Sequence, residues 1–232
     1  MIARADNCGL GTLSMEFARH LEPVKTLIVD AGRGQIFPER FTNYKIIASH
    51  NPTAFDWLLE DIDVLISFET FYDWNVVLKA RSKGVKTVLY TMFEMSPEKF
   101  PYTPDLLLCP SKLDYEIFKE YGTRVEYIPV PIATDRLFWK KREKAERFIH
   151  VASHGGMNSR KGTHHVLKAM EYVSQDVDLT IFTWKPFTTQ DPRIDIQMVN
   201  FKNYWQVYDK GDVMIYPQDY NGICLPIIEA MA

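Results

Sequence analysis

Short apolar runs rich in Val, Ile, Leu and Tyr alternate with longer stretches of helical periodicity through about residue 130. The runs at 25–30, 44–48, 64–68, 85–90, 105–109 and 125–128 read as strands, with a further short strand ahead of Asn7. Between them, 12–21, 53–60, 74–83 and 112–121 read as helices. Val64-Leu65-Ile66-Ser67-Phe68 and Leu106-Leu107-Leu108 are apolar on both faces, as burial between two helix layers requires. That pattern predicts a doubly wound α/β domain with a parallel sheet.

Ile128-Pro129-Val130-Pro131-Ile132 then breaks the alternation, because closely spaced prolines end a strand and stiffen a connector. A charged stretch at 140–147 leads into a second alternation. Its strands are expected at 148–152, 179–183 and 213–216, and its helices at 160–173, at 203–208 and from Pro226 onward. We therefore expect domains at 1–140 and 141–232, the second too short for a full Rossmann-like half.

Composition narrows the class. Over 232 residues, 46% hydrophobic and 25% charged content describes a soluble globular protein, and a net charge of −3 exerts no global pull on nucleic acid. Cys8, Cys109 and Cys224 are odd in number and far apart, so neither a disulfide framework nor a zinc site is expected, and a reducing cytosol fits. No apolar run is long enough to span a bilayer, and Met1-Ile2-Ala3-Arg4 is too short for a signal peptide's apolar region. Any membrane association would be peripheral; the Lys140-Lys141-Arg142-Glu143-Lys144 cluster could touch anionic lipid, but a basic run beside acidic residues reads first as a solvated linker.

Three segments have the residues for anion chemistry. Asn7-Cys8-Gly9-Leu10-Gly11-Thr12 is a glycine-bearing strand-to-helix turn, where Gly9 and Gly11 let backbone approach a ligand. A tight connection alone would explain it too. His154-Gly155-Gly156-Met157-Asn158-Ser159-Arg160-Lys161-Gly162 sets Arg160 and Lys161 beside a glycine loop, an arrangement suited to a diphosphate. The last segment, Asn221-Gly222-Ile223-Cys224-Leu225-Pro226-Ile227-Ile228-Glu229-Ala230-Met231-Ala232, is a glycine turn running into a helix. Glu94 follows a central strand at the sheet edge where open α/β folds bind ligands, and reads equally as an ordinary loop carboxylate; Ser111 is placed to N-cap a helix. Asp61-Ile62-Asp63 and Asp176-Val177-Asp178 precede strands and read as solvated turns, and His164-His165 reads as a helix-surface pair.

The closing segment resembles the nucleotide-sugar site of retaining glycosyltransferases of the GT-B fold, which read Glu-Gly-Phe-Gly-Leu-Pro-x-x-Glu-Ala-Met-Ala. Lys161-Gly162 is similar to that family's Lys-Gly pair, and Gly9, Gly11 and Thr12 to its Gly-x-Gly-Thr segment. The resemblance implies two Rossmann-like domains facing a cleft, the second incomplete, with an acceptor domain first and a donor domain second. It implies transfer of a hexose from a UDP-sugar or GDP-sugar to a hydroxyl acceptor, a glycan, lipid or small molecule, with retention and without a bound metal or other cofactor. Lys161 and Arg160 would hold the phosphates and Glu229 the ribose. Asn221 would contact the sugar, Gly222 would line the donor site, and Glu94 would sit on the acceptor side.

This chain departs from the family pattern at two positions where the family carries charge. Asn221 stands where the family has its first Glu, and it supplies hydrogen bonds but no negative charge. Gly155 stands where the family has an Arg. A catalytically silent module that binds a nucleotide sugar or a partner chain, the partner completing the donor domain, is therefore the alternative. A dinucleotide enzyme is disfavoured because Gly-x-Gly-x-x-Gly is missing.

Overall fold

The computed structural model describes residues 1–48, 55–137, 141, 143–158, 160–199, 201–219 and 222–232. The chain divides into two compact units, Met1–Pro131 and Ile132–Ala232, so contacts change hands at the proline pair and ahead of the charged stretch.

In the first unit β1 (Ile2–Ala3), β2 (Thr26–Asp30) and β3 (Tyr44–Ala48) form one parallel ladder. A second parallel ladder joins β4 (Val64–Phe68), β5 (Lys86–Tyr90), β6 (Leu106–Cys109) and β7 (Arg124–Tyr127). β1 lies beside β4, so the strands read 3-2-1-4-5-6-7 across the unit and the order reverses between β1 and β4. Helices α1 (Gly9–Leu21), α2 (Phe55–Leu58), α3 (Asn75–Ser82) and α4 (Lys112–Phe118) connect them. The expected 112–121 helix tightens into a 3-10 turn at Lys119–Tyr121 and stops at Gly122, whose φ of 71° is left-handed. Residues 53 and 54 of the expected 53–60 helix lie outside the described residues.

One core runs beneath both ladders, with Ile2, Leu27, Leu65, Leu89 and Leu107 from the strands meeting Phe71 and Phe118. Burial of each such side chain stabilises the unit by about 1.5–3 kcal/mol. Phe17 of α1 wedges its ring 5.1 Å from Phe68 and 4.9 Å from Tyr90, fixing α1 over the point where the strand order reverses.

The second unit has one parallel sheet in the order β10-β9-β8-β11, formed by β8 (Phe148–Ser153), β9 (Leu179–Thr183), β10 (Ile194–Met198) and β11 (Val213–Met214). Here the order reverses between β8 and β11. The β10 strand was not expected. Ile-Asp-Ile-Gln-Met at the sheet edge is too polar to read as a buried run, and only its pairing with β9 defines it. The expected 160–173 helix shortens to α5 (Thr163–Ala169), because Gly162 caps it with φ 74°. The 203–208 helix is a 3-10 segment, Tyr204–Lys210, and α6 (Leu225–Met231) opens with Pro226 in its first turn as expected. Among the described residues no helix is long and apolar enough to cross a membrane.

Candidate functional site

In open α/β sheets ligands settle at the carboxyl ends of the strands where their order reverses. In the second unit that place is bounded by the segments leaving β8 and β11. Ser153, the last residue of β8, takes φ 52°, a left-handed conformation that a side-chain-bearing residue adopts at a cost of order 1–3 kcal/mol. This bend sends the glycine loop over the sheet edge toward Arg160 and Lys161.

Lys161 Nζ donates to the Tyr216 hydroxyl and stands 5.2 Å from the centre of that ring. Arg160 adds a second positive charge near Tyr216. Burial is the main reason the Tyr216 phenol is pushed up, so it stays neutral beside these cations. The backbone fastens the same two segments. Asp219 N donates to Arg160 O at 3.0 Å, and a Cβ on Gly162 would lie 1.9 Å from Pro217 O. Gly162 is thus required twice, by its φ and by the carbonyl pressed against it.

Beneath this contact lies a residue that the sequence reading passed over, His150 of β8. It is 0% exposed, with Nδ1 2.9 Å from Ile215 O and Nε2 2.9 Å from Thr163 Oγ1. Burial holds its pKa below the ordinary value, and the neighbouring Lys161 charge acts in the same direction. A histidine inside the apolar run Phe-Ile-His-Val-Ala was the available signal, since a buried polar ring must find partners.

Glu229 is buried at 5% exposure, in α6, and accepts a hydrogen bond from the Tyr208 hydroxyl at Oε2. Burial first, and then the Glu229 charge, push the Tyr208 phenol well above its ordinary range. Glu229 lines a groove of about 460 Å³ with Arg136, Leu137, Trp205, Tyr208 and Asp212. The groove follows the starts of β8 and β11, and Lys161 is not part of its lining. Tyr216 feels the Glu229 charge as well as the two cations, so it links the groove side to the Lys161 side. Gly222 is half-buried in the bend before α6, two residues ahead of Cys224, its N-cap. Asn221 lies outside the described residues. α5 has seven residues, so side-chain cations carry more of any anion binding beside Lys161 than that helix terminus does.

In the first unit Glu94 is half-buried in a 3-10 turn, Phe93–Met95, directly after β5. That turn is anchored by Phe93 N donating to Asp114 Oδ1 at 2.9 Å and by Thr91 Oγ1 2.9 Å from Ser96 Oγ. Asp114 in turn is held by Ser111, which caps α4 by accepting from Asp114 N at 3.1 Å. Ser111 therefore acts as the cap it was read to be, and through Asp114 it also fixes the Glu94 turn.

Gly9 and Gly11 require a correction. They lie within the first turn of α1 and not in a loop before it, since Cys8 is the N-cap and Thr12 N already bonds Cys8 O at 2.9 Å. The close approach that Gly11 permits is made by the chain itself, because a Cβ there would lie 1.8 Å from Asp6 O. Asp6 is held in a buried ion pair with Arg4, and the Cys8 thiol donates to its Oδ1 at 2.7 Å.

Asp61 and Asp63 lead into β4, and Asp176 and Asp178 into β9, so both triplets sit at the sheet edge opposite the ligand side. His164 and His165 are exposed and their rings are only 3.9 Å apart, closer than divergent helix neighbours were expected to be. His165 Nε2 also reaches Asp219 Oδ1 at 3.4 Å. No group of three or more His, Cys, Asp or Glu side chains converges among the described residues.

The two parallel-sheet units, each with a strand reversal, have a fold of the GT-B type. The chain is similar to Anabaena HepE, whose structure holds UDP and glucose, at 11% identity and a TM-score of 0.68, covering 99% of this chain and 77% of that one. It is similar to a glycosyltransferase from Rickettsia africae at 11% identity and a TM-score of 0.66, covering 99% and 76%. A third likeness is to Arabidopsis thaliana UGT89C1 complexed with quercetin, at 10% identity and a TM-score of 0.54, again covering 99% and 76%. No protein-family model and no curated protein matches the chain.

Proposed function

We propose that this chain is a glycosyltransferase of the retaining GT-B type, moving a hexose from a nucleoside diphosphate sugar to a hydroxyl acceptor. The observation that carries this reading is the fastening of Lys161 to Tyr216 and of the Arg160 backbone to Asp219 where the strand order reverses. The same backbone contacts tie that pair to the segment that continues through Gly222 to Glu229. The fold is also that of Anabaena HepE, which was solved with UDP and glucose.

Lys161 and Arg160 neutralise the diphosphate, whose negative charge grows as the glycosidic bond breaks, so the leaving group needs no metal. Glu229 is assigned to the ribose hydroxyls on the family pattern alone, since its carboxylate bonds Tyr208 and faces the groove at the strand starts, apart from Lys161. Gly222 gives the chain room to pass the donor, and Asn221 hydrogen-bonds the transferred sugar. Glu94, on its anchored turn, meets the acceptor hydroxyl.

A calorimetric panel of UDP, GDP, ADP and their hexose conjugates, followed by hydrolysis and transfer assays, tests this directly. A transferase binds at least one diphosphate and turns over its sugar, and failure of the folded chain to bind any of them refutes the reading. Lys161→Ala is expected to weaken the bound nucleotide by about 1–3 kcal/mol, the cost of a lost charge-assisted contact. Unchanged affinity removes Lys161 from the site.

The second reading is a nucleotide-sugar-binding module without turnover, favoured by Asn221 and Gly155 at positions where the family carries charge. Binding without turnover, unaltered in Asn221→Glu, would establish it.

A further inference from the structure

His150 takes no part in the chemistry above, yet it touches every segment that the cation pair depends on. A carbonyl oxygen only accepts, so the contact with Ile215 O requires a proton on Nδ1. With the ring kept neutral by burial and by the Lys161 charge, Nε2 is left as an acceptor, and the Thr163 hydroxyl donates to it. The tautomer thus follows from the partners. Ile215 immediately precedes Tyr216, and Thr163 follows Lys161 and Gly162. The neutral Tyr216 ring is 6.0 Å from the imidazole, and the charged group acting on it is Lys161.

We infer that His150 is a positioning residue for phosphate binding: its two hydrogen bonds set the spacing between the Lys161 segment and the Tyr216 segment, and so aim the Lys161 ammonium. The inference rests on the proposed nucleotide site for its binding consequence, but its structural half stands apart from that site. His150→Phe keeps a ring and loses both bonds. His150→Asn keeps a short amide that can still donate toward Ile215 O.

The test is a double-mutant cycle on UDP affinity, with thermal melting to confirm that each variant is folded. His150→Phe is expected to weaken UDP binding at least tenfold in the wild-type background and less than twofold in Lys161→Ala, with partial rescue in His150→Asn. Equal losses in both backgrounds would mean that His150 does not act through Lys161, and would overturn the inference. A second readout needs no ligand, namely exchange of the Asp219 amide, which is donated to Arg160 O. It should quicken at least tenfold in His150→Phe, and unchanged exchange overturns the proposal. Faster exchange in His150→Phe, with a wild-type chain that binds none of UDP, GDP, ADP or their hexose conjugates, would refute the nucleotide reading while leaving the positioning role intact.

Discussion

Replacing Gly162 with Ala separates two reasons for a glycine that are usually confounded. Its φ of +74° costs any residue with a Cβ about 1–2 kcal/mol. The new methyl would also lie 1.9 Å from Pro217 O and 2.8 Å from Pro217 C, so the loops leaving β8 and β11 must part by at least about 1 Å to reach van der Waals contact. Parting them breaks the Asp219 N to Arg160 O bond, worth about 0.5–1.5 kcal/mol, and loosens the half-exposed Lys161–Tyr216 contact. The expected loss is about 1.5–3.5 kcal/mol for the second unit, to which the loosened Lys161–Tyr216 contact adds. Gly84→Ala is the control, because Gly84 has φ +76° and no atom within 4 Å of an added Cβ, so only the conformational cost of about 1–2 kcal/mol remains. Urea unfolding resolved by peptide-level hydrogen exchange suits a chain of two units, which need not unfold together. If Gly162→Ala costs no more than Gly84→Ala, the loops are not clamped together and the picture of the cation site is wrong.

Tyr208→Phe removes a donor from a buried carboxylate and should destabilise the second unit by about 1.5–3 kcal/mol, read as a lower urea midpoint. An unchanged midpoint would show that Glu229 does not depend on Tyr208. His150 has a folded pKa below its ordinary 6.5, so the unfolded chain takes up its proton first as pH falls. Stability is therefore greatest above about pH 6.5 and declines below it toward the folded pKa, a slope that should be reduced in His150→Phe when melting is compared at pH 7.5 and 5.5. Burial pushes the Cys8 and Cys109 thiols up to about 12, whereas Cys224 is half-exposed. A thiol reagent at pH 8 should thus modify Cys224 alone in the native chain and all three after denaturation. Rapid native modification of Cys8 would contradict its burial against Asp6.

The first unit was largely legible because its central strands, such as Val64–Phe68 and Leu106–Cys109, are apolar on both faces. Val64–Phe68 and Tyr44–Ala48 were read to the residue, and Ser111 was read as a cap from its own chemistry. The second unit was less so, since the Ile194–Met198 edge strand and the 3-10 segment Tyr204–Lys210 lack a continuous apolar face or period. Gly9 and Gly11 misled for a related reason. A glycine in a sequence announces that something comes close but not what, and at Gly11 it is the Asp6 carbonyl.

The sequence by itself determined the α/β alternation, a stiff connector at the proline pair and the residue types gathered near Lys161 and Glu229, whereas the division at Pro131 and not at 140 came from the structure. These are local properties, fixed by periodicity, turn chemistry and charge. Only the tertiary structure decided that Lys161 meets Tyr216, 55 positions away, that Gly162 packs against Pro217, and that His150 bridges Ile215 and Thr163. Those pairings arise because β8 and β11 are sheet neighbours though distant in the chain, and strand adjacency is set by the packing of the whole unit, which no local pattern encodes.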